Sequence, residues 1–302
     1  MLASKFIGTG VPTITPFKTD GTVDFDALER LINYIIEGGA EYIVALGTTS
    51  EICTLSQSEQ HAIVKKTVEA VKGRVPVVVG IGSNNTAETV ETLKTYDFTG
   101  IDAILSVVPY YNKPTQEGIY QHFSALAKAS PVPIILYNIP PRCVVNMDVE
   151  TTIRLANDHP NIVAIKDSSN DMEHCRNIIE HSQRHKDFLV ISGDDGTALE
   201  LIEMGGVGVI SVMANAMPMQ VSSMIRAGVS GNFEQAQKEF SVYKHLVPFL
   251  FEEGNPTGAK SIISLLGFCE DSLRLPLMKS TDDLKNRIVK DFTPFIEKLR
   301  LA

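Results

Sequence analysis

Residues 162–169, with the sequence IVAIKDSS, decide the fold. A short β-branched run bounded by polar residues is typical of a strand buried on both faces, and such strands belong to parallel sheets covered by helices. Lys166 ends this run, although an ammonium among apolar neighbours is costly unless it is paired or loses its proton. Two interpretations stay open: an ion pair with Asp167 or another acid, or an amine kept neutral to attack a carbonyl.

This strand is one of eight apolar runs in the chain. The others occupy residues 8–17, 42–46, 75–81, 101–108, 132–138, 188–192 and 207–212. Helical patterns separate them: Asp24 precedes an apolar stripe, and Ser56 and Glu59 form a capping box. We also predict helices after Asp148 and at residues 86–96, 115–129, 175–181 and 197–204. Such regular alternation of strands and helices predicts a parallel sheet.

Eight strand–helix units predict an α/β fold, a (β/α)8 TIM barrel over residues 1–230. Residues 231–302 are predicted to form a C-terminal extension of three helices, at 233–251, 256–266 and 281–299. An open, doubly wound sheet is the alternative. It is weakened because Gly80 and Gly82 lack the third glycine of a dinucleotide fingerprint, and the glycines at 205–208 precede a strand.

Composition narrows the classes of function. The chain has 302 residues, 44% of them hydrophobic, and a formal net charge of −9, which argues against a nucleic-acid surface. The four cysteines, at positions 53, 143, 175 and 269, lack the spacing of a zinc site, so we expect reduced thiols and neither metal nor cofactor. No apolar run is long enough for a membrane helix, and no signal peptide is recognisable. We therefore expect a cytoplasmic protein whose partners are small molecules or copies of itself.

Polar side chains gather at the ends of four predicted strands. They are Thr48 and Thr49 after the second, Tyr110 and Tyr111 after the fourth, Tyr137 and Arg142 after the fifth, and Lys166 at the sixth. Each alone has an ordinary explanation as a cap, a packing contact or a surface pair. In a TIM barrel the strand ends of one face converge and carry the active site, so their coincidence predicts a site.

Lysine, tyrosine and threonine without metal ligands suit one kind of chemistry. A free lysine amine is neutral in only about one molecule in a few thousand at pH 7, so a catalytic amine needs desolvation and a proton shuttle. An imine formed on such an amine withdraws electrons and allows an enamine to form. Threonine hydroxyls and backbone N–H groups hold a carboxylate. The set predicts an aldolase that uses a 2-oxo acid.

Four motifs together resemble one family. They are residues 47–51 (GTTSE), 109–114 (PYYNKP), 137–142 (YNIPPR) and 164–167 (AIKD), and the likeness continues through 192–195 (SGDD), 208–211 (GVIS) and 255–256 (NP). The chain is similar to the dihydrodipicolinate synthase (4-hydroxy-tetrahydrodipicolinate synthase) family of pyruvate-dependent class I aldolases, which includes N-acetylneuraminate lyase. The resemblance implies that pyruvate condenses with aspartate 4-semialdehyde on the way to diaminopimelate and lysine.

The resemblance also implies residue roles and an assembly. Lys166 would form the pyruvate Schiff base, and Tyr137 would shuttle protons with Thr48 and a neighbouring subunit's Tyr111. The substrate-binding residues would be Thr49 for the pyruvate carboxylate, Arg142 for the semialdehyde carboxylate, and the backbone of Gly193 and Ile210. The implied assembly is a homotetramer built from two tight dimers.

The match has departures, and alternatives stay open. Pro141, Cys143 and Val144 differ from the pattern around the arginine, and Ser50 replaces a glycine in a turn where we expect a positive φ. Possible lysine-binding residues are Asn84, Glu88 and Tyr110, whereas Gln57, Gln60, Ile52 and Cys53 depart from the regulated pattern; an ordinary helix start also explains the first two. Two other functions stay open: a related pyruvate-dependent aldolase or lyase for a sugar acid or another aldehyde, and a catalytically idle barrel that senses a 2-oxo acid.

Overall fold

The computed structural model describes residues 3–182 and 188–300 and contains a closed barrel of eight parallel strands, in which each strand pairs with the next and the last with the first. The strands are β1 (Gly8–Pro12), β2 (Tyr42–Ala45), β3 (Val77–Gly80), β4 (Ala103–Val107), β5 (Ile134–Asn138), β6 (Ile162–Asp167), β7 (Leu189–Ser192) and β8 (Gly208–Ile210). The predicted (β/α)8 TIM barrel is confirmed.

Helices cover the outside of the barrel and extend it at the C-terminus. They are α1 (Phe25–Glu37), α2 (Gln57–Val71), α3 (Thr86–Thr95), α4 (Gln116–Ala129), the short α5 (Pro140–Cys143), α6 (Val149–Asp158), α7 (Met172–Ser182), α8 (Ala198–Glu203), α9 (Pro218–Val229), α10 (Phe233–Tyr243), α11 (Thr257–Leu265) and α12 (Asp282–Arg300). Among the described residues, no helix is long and apolar enough to cross a membrane.

Local signals account for most helix starts. The Asp24 carboxylate accepts the Ala27 N–H at the start of α1, and Ser56 with Glu59 forms the predicted capping box of α2. Asp148 occupies the N-cap position of α6, but its side chain makes no capping hydrogen bond, so the predicted cap is right in position only. The starts of these helices were therefore readable from single residues.

Two helix predictions were incomplete or wrong. Helix α9 was not predicted, although Pro218 stands at its first turn and Val221, Met224 and Ile225 form a buried stripe. The predicted helix at 233–251 ends at Tyr243, and a 3-10 stretch, Lys244–Leu250, follows it. Pro248 lies inside that stretch and cannot donate a helical hydrogen bond, which explains the break.

Glycines allow the barrel to close. Gly208 of β8 pairs with Gly8 of β1, and a Cβ atom on Gly208 would lie 2.0 Å from the Gly8 carbonyl oxygen. Inside the closed sheet, side chains from alternate strand positions form one apolar cluster, and those facing outward pack under the helices in a second. The filled interior leaves the carboxyl ends of the strands as the place where polar side chains meet.

Candidate active site

Lys166 and Tyr137 face each other at the carboxyl ends of β6 and β5. They are register partners in the sheet, and the Lys166 Nζ lies 4.0 Å from the centroid of the Tyr137 ring. Both side chains are buried, and Lys166 is only 6% exposed. Within the described part of the chain no carboxylate forms an ion pair with Lys166, so the first of the two interpretations of this lysine is wrong.

Asp167, the suspected partner of Lys166, is committed to other groups. Its Oδ2 accepts a hydrogen bond of 2.8 Å from Asn138 Nδ2, and its Oδ1 accepts from the Ser169 N–H and hydroxyl at 2.8 and 2.5 Å. The His174 Nε2 lies 3.6 Å from Oδ2. Successive residues of a strand point to opposite faces, so this carboxylate ties β6 to β5 behind the two facing side chains.

Gly193 comes directly after β7 and packs against the lysine strand. Its N–H donates to the Asp167 carbonyl oxygen at 2.6 Å. A Cβ atom at this position would lie 2.9 Å from the Lys166 Cε and 1.9 Å from the Ser168 Oγ. A side chain at position 193 would displace Ser168 or Lys166, so the Gly193 backbone lies directly beside the lysine.

The predicted threonines lie in a 3-10 turn, Thr48–Ser50, that follows β2. Thr49 is buried and its Oγ1 accepts a hydrogen bond of 3.0 Å from Asn255 Nδ2, whereas Thr48 is half-buried. Positive φ angles occur at Leu46 and Glu51, and not at Ser50. The expected strain at Ser50 is therefore wrong: its buried hydroxyl instead donates to the Gly47 carbonyl oxygen at 2.7 Å.

Arg142 lies on the short helix α5 at the mouth of the barrel. Its side chain is exposed, and among the described residues no hydrogen bond or ion pair is made by its guanidinium group. Burial raises the pKa of the adjacent Cys143 thiol to about 11, while Val144 is exposed in a left-handed conformation with φ 61°. The arginine is thus an available cation above the strand ends.

Tyr111 is far from buried within the single chain. It is 90% exposed with φ 73°, and no hydrogen bond links the hydroxyls of Tyr111, Thr48 and Tyr137 in the described ranges. The neighbouring Tyr110 carbonyl oxygen accepts from Asn84 Nδ2 at 3.0 Å, and burial raises the pKa of the Tyr110 phenol. The chain alone brings Tyr137 and Lys166 together but does not assemble the three hydroxyls.

The last predicted residue, Ile210, ends β8 and is buried. Beyond it lies a buried carboxylate that the sequence reasoning missed. Asp195 accepts hydrogen bonds from the Ser211 hydroxyl and from the N–H groups of Val212 and Met213, the latter two at 3.0 and 3.3 Å. Burial raises the pKa of Asp195 to about 6. Its position after β7 was the available signal, since strand ends were already singled out.

Asn84 and Tyr110 lie on adjoining loops, and Glu88 lies in helix α3. Asn84 contacts Tyr110 as described, whereas Glu88 is exposed in the first turn of α3, where Asn85 caps the helix by accepting the Glu88 N–H. The ordinary helix-start explanation of Glu88 therefore stands beside the regulatory one. Over residues 3–182 and 188–300, no group of three or more His, Cys, Asp or Glu side chains is placed to hold a metal ion.

Comparison with known proteins identifies the family of the chain. A model of the Dihydrodipicolinate synthetase family matches residues 5–294. The chain belongs to this family. A 4-hydroxy-tetrahydrodipicolinate synthase from Flavobacterium psychrophilum is 50% identical over 283 residues, which cover 94% of this chain and 96% of that protein.

Solved structures of family members superpose closely. A chloride-inhibited dihydrodipicolinate synthase from Acinetobacter baumannii, in complex with pyruvate, has a TM-score of 0.91 and 38% identity and covers 95% of this chain and 98% of that one. A dihydrodipicolinate synthase from Cyanidioschyzon merolae with lysine bound has a TM-score of 0.90 and 39% identity, with coverage of 96% and 98%. The family resemblance predicted from the motifs is confirmed.

Proposed function

We propose that this chain is a 4-hydroxy-tetrahydrodipicolinate synthase, a Schiff-base-forming lyase that condenses pyruvate with L-aspartate 4-semialdehyde in the diaminopimelate route to lysine. The observation that carries the proposal is the buried Lys166 amine, which faces Tyr137 and has no acid partner in the described chain. A carboxylate close to the amine would favour its charged form, and only the neutral amine attacks a carbonyl.

The reaction begins when the Lys166 Nζ attacks C2 of pyruvate, and the carbonyl oxygen leaves as water. Loss of a proton from C3 of the resulting imine gives an enamine, whose C3 then attacks the aldehyde carbon of the second substrate. Tyr137, whose ring lies against the amine, shuttles protons in these steps together with Thr48. A neighbouring subunit's Tyr111 completes the relay, and the high exposure of Tyr111 in the single chain supports this assignment.

Four further residues bind the substrates in this proposal. Thr49 holds the pyruvate carboxylate, supported by its buried position in the turn after β2, and the backbone of Gly193 and Ile210 lines the same pocket. Arg142 binds the semialdehyde carboxylate, supported by its free guanidinium group at the barrel mouth. The neighbours Pro141, Cys143 and Val144 shape that second pocket.

Assembly, location and regulation follow from the same proposal. The enzyme is a cytoplasmic homotetramer of two tight dimers, and the exposed Tyr110, Tyr111 and Val144 side chains offer apolar surface for such a contact. Residues 1–230 form the catalytic barrel and 231–302 the helical region. Lysine binding at Asn84, Glu88 and Tyr110 is tested separately by adding lysine to the assay; an unchanged rate removes that part of the proposal.

Borohydride trapping tests the central claim. We expect reduction in the presence of pyruvate to leave a covalent adduct on Lys166, identified by peptide mass mapping, and no adduct on the buried Lys260. An unmodified Lys166 would exclude the Schiff base and leave the 2-oxo-acid sensor as the function. The same enzyme should turn over pyruvate with aspartate semialdehyde and should not cleave N-acetylneuraminate.

Arg142 separates the synthase from the sugar-acid lyases. We expect Arg142→Ala to raise the KM for the semialdehyde at least about tenfold, because a charged hydrogen bond to its carboxylate is lost. The rate of imine trapping with pyruvate alone should stay within about twofold of the wild-type rate. Equal damage to both steps would contradict the assigned role.

A further inference from the structure

The turn that carries Thr48 and Thr49 is held from the C-terminal region at two points. Asn255, just before α11, donates to the Thr49 Oγ1 across 206 residues of sequence. Lys260, inside α11, places its Nζ 2.5 Å from the Glu51 Oε1 at the end of the same turn. Both contacts reach the strand-end face, although neither C-terminal residue lies in the barrel sheet.

The first contact sets the direction in which the Thr49 hydroxyl can donate. A hydroxyl has one proton to donate and lone pairs that accept. The Asn255 amide N–H occupies a lone pair of Oγ1, so the proton of Thr49 remains available for another acceptor. Elsewhere in the described chain no acceptor receives it, and a substrate carboxylate is an acceptor only.

The second contact fixes the backbone of the turn. Glu51 lies in the left-handed region at φ 56°, and its side chain is completely buried together with that of Lys260. The Glu51 Oε2 accepts the Arg274 N–H at 3.1 Å, and the Lys260 Nζ also donates to the Ser272 carbonyl oxygen at 2.7 Å. Burial lowers the pKa of Lys260, against the opposing effect of Glu51. Desolvation offsets most of the attraction in such a pair, so its main contribution is a defined geometry.

We propose that Asn255 and Lys260 are positioning residues of the active site. Asn255 orients the Thr49 hydroxyl as a donor to the carboxylate of the 2-oxo acid, and Lys260 holds Glu51 and thereby the Thr48–Thr49 turn. This inference rests on the proposed function, because it assigns a task to the carboxylate-binding residue of that reaction. The C-terminal helical region then contributes to the geometry of the active site.

Asn255→Asp against Asn255→Ala tests the orientation of the hydroxyl. The introduced carboxylate only accepts, so it captures the Thr49 proton and removes the donor to pyruvate. We expect the KM for pyruvate to rise at least about tenfold in Asn255→Asp and less in Asn255→Ala. A KM that rises equally in both variants would overturn the assignment.

A Thr49→Val background distinguishes orientation from simple charge repulsion. If Asn255 acts through the hydroxyl, Asn255→Asp should add less than about twofold to the KM once Thr49 is replaced. A full tenfold effect that persists in Thr49→Val means that the new carboxylate repels the substrate, and the proposal for Asn255 fails.

The positioning role of Lys260 is tested with a double variant that lacks the ion pair but recovers the stability of the protein. Lys260→Met leaves a buried uncompensated carboxylate, so Tm should fall; Glu51→Gln in the same chain should restore most of it. We expect kcat of the double variant to stay at least about fivefold low, because the contact is still absent. A kcat that recovers with Tm would make the pair merely structural. Arg154→Met, on the exposed Arg154–Glu117 pair between α6 and α4, is the control and should change neither quantity.

The wild-type trapping experiment separates failure of this inference from failure of the proposed function. Without a pyruvate adduct on Lys166 in the unmodified enzyme, the proposed function fails first. If the wild type forms the adduct while the Asn255 and Lys260 variants keep its KM and kcat, only the positioning roles are wrong.

Discussion

Two lysines are buried at the same end of the barrel, and their surroundings differ completely. Lys260 is fully buried, and its charge is balanced by the Glu51 carboxylate and by a hydrogen bond to the Ser272 carbonyl oxygen. Lys166 is 6% exposed, and its Nζ lies 4.0 Å from the centroid of the Tyr137 ring. Burial alone therefore does not identify a reactive lysine. Lys166, the lysine that we propose as the nucleophile, differs from Lys260 in having no ion-paired acid among the described residues.

One acid lies next to Lys166 in the sequence, but its carboxylate is engaged elsewhere. Asp167 is its immediate neighbour in sequence, yet the carboxylate bonds to Asn138 and Ser169 on the opposite face of the strand. Glu51, by contrast, points its carboxylate directly at Lys260. Because side chains alternate along a strand, the Asp167 carboxylate points away from the Lys166 amine. The turn after β2, in contrast, places the Glu51 carboxylate next to the Lys260 amine.

Replacement of the reactive lysine gives the largest expected effect. Lys166→Met should reduce turnover of pyruvate and aspartate semialdehyde at least about 10⁴-fold, because the nucleophile is lost. Its Tm should stay within about 3 °C of the wild-type value, since no ion pair is broken. Initial rates and thermal unfolding measure both. A large loss of stability would mean that Lys166 has a charged partner after all.

Replacement of Lys260, the lysine paired with Glu51, should affect stability more than formation of the pyruvate adduct. Lys260→Met should lower the free energy of unfolding by about 3–5 kcal/mol, because the Glu51 carboxylate is left buried and unpaired. Urea unfolding measures this, and borohydride with pyruvate should still modify Lys166 in the folded fraction. If stability is unchanged, the pair is not buried as described and the contrast between the two lysines is lost.

Tyr137→Phe isolates the hydroxyl from the ring beside Lys166. We expect kcat to fall about 10²-fold, since a positioned proton shuttle is worth that much, while the pyruvate adduct still forms slowly on Lys166. Tyr120→Phe is the matched control: that hydroxyl bonds to Asp158 on the outer surface at 2.7 Å. A similar loss of kcat in both variants would show that the hydroxyl at 137 has no special part.

His122 is a third buried base, and we expect the smallest change in stability from its replacement. Burial alone shifts its pKa. Burial lowers its pKa to about 4, and its Nδ1 lies 2.8 Å from the Thr86 hydroxyl. The unfolded chain, with a histidine pKa of about 6.5, binds the proton first. Stability from this residue is therefore complete above that pH and is lost as the pH falls toward 4.

His122→Gln measures this contribution. Between about pH 7.5 and 5.5 the wild type should lose about 1 kcal/mol more unfolding free energy than the variant, whose amide does not titrate. Urea titrations at the two pH values give the difference. Parallel losses in the two proteins would contradict the lowered pKa.

The sequence was informative where a residue contradicted its surroundings. Lys166 could be singled out because a charged group ended an apolar strand, and the strand-end rule then placed Tyr137 beside it. Lys260 could not, since a lysine in the helical pattern at 256–266 looks like any surface lysine. Thr49 and Asn255 are 206 residues apart, and the periodicity of apolar residues does not predict which loops are in contact.

Fold predictions failed for similarly physical reasons. Helix α9 carries an apolar stripe, but no side chain caps its start and no acidic residue lies in its first turn. These are the signals that mark the starts of most of the other helices, and the last helix of the barrel was therefore not predicted. Residues 233–251 kept a helical pattern across the break that Pro248 causes. Asp195 lies three residues after β7, and its hydrogen bonds to Ser211 and Val212 join two strand ends that are neighbours only in the folded barrel. In each of these cases a signal was present in the sequence, in Pro218, in Pro248 and in the position of Asp195 after β7.

The Asn138–Asp167 hydrogen bond joins the residues that directly follow Tyr137 and Lys166, and Asn138 is itself held by Asn146 and by the Met147 N–H. The two strand ends are therefore coupled mechanically: a substitution that tilts one of the reacting side chains tilts the other. New aldehyde acceptors are accordingly easier to evolve or engineer through the loop around Arg142 than through β5 and β6.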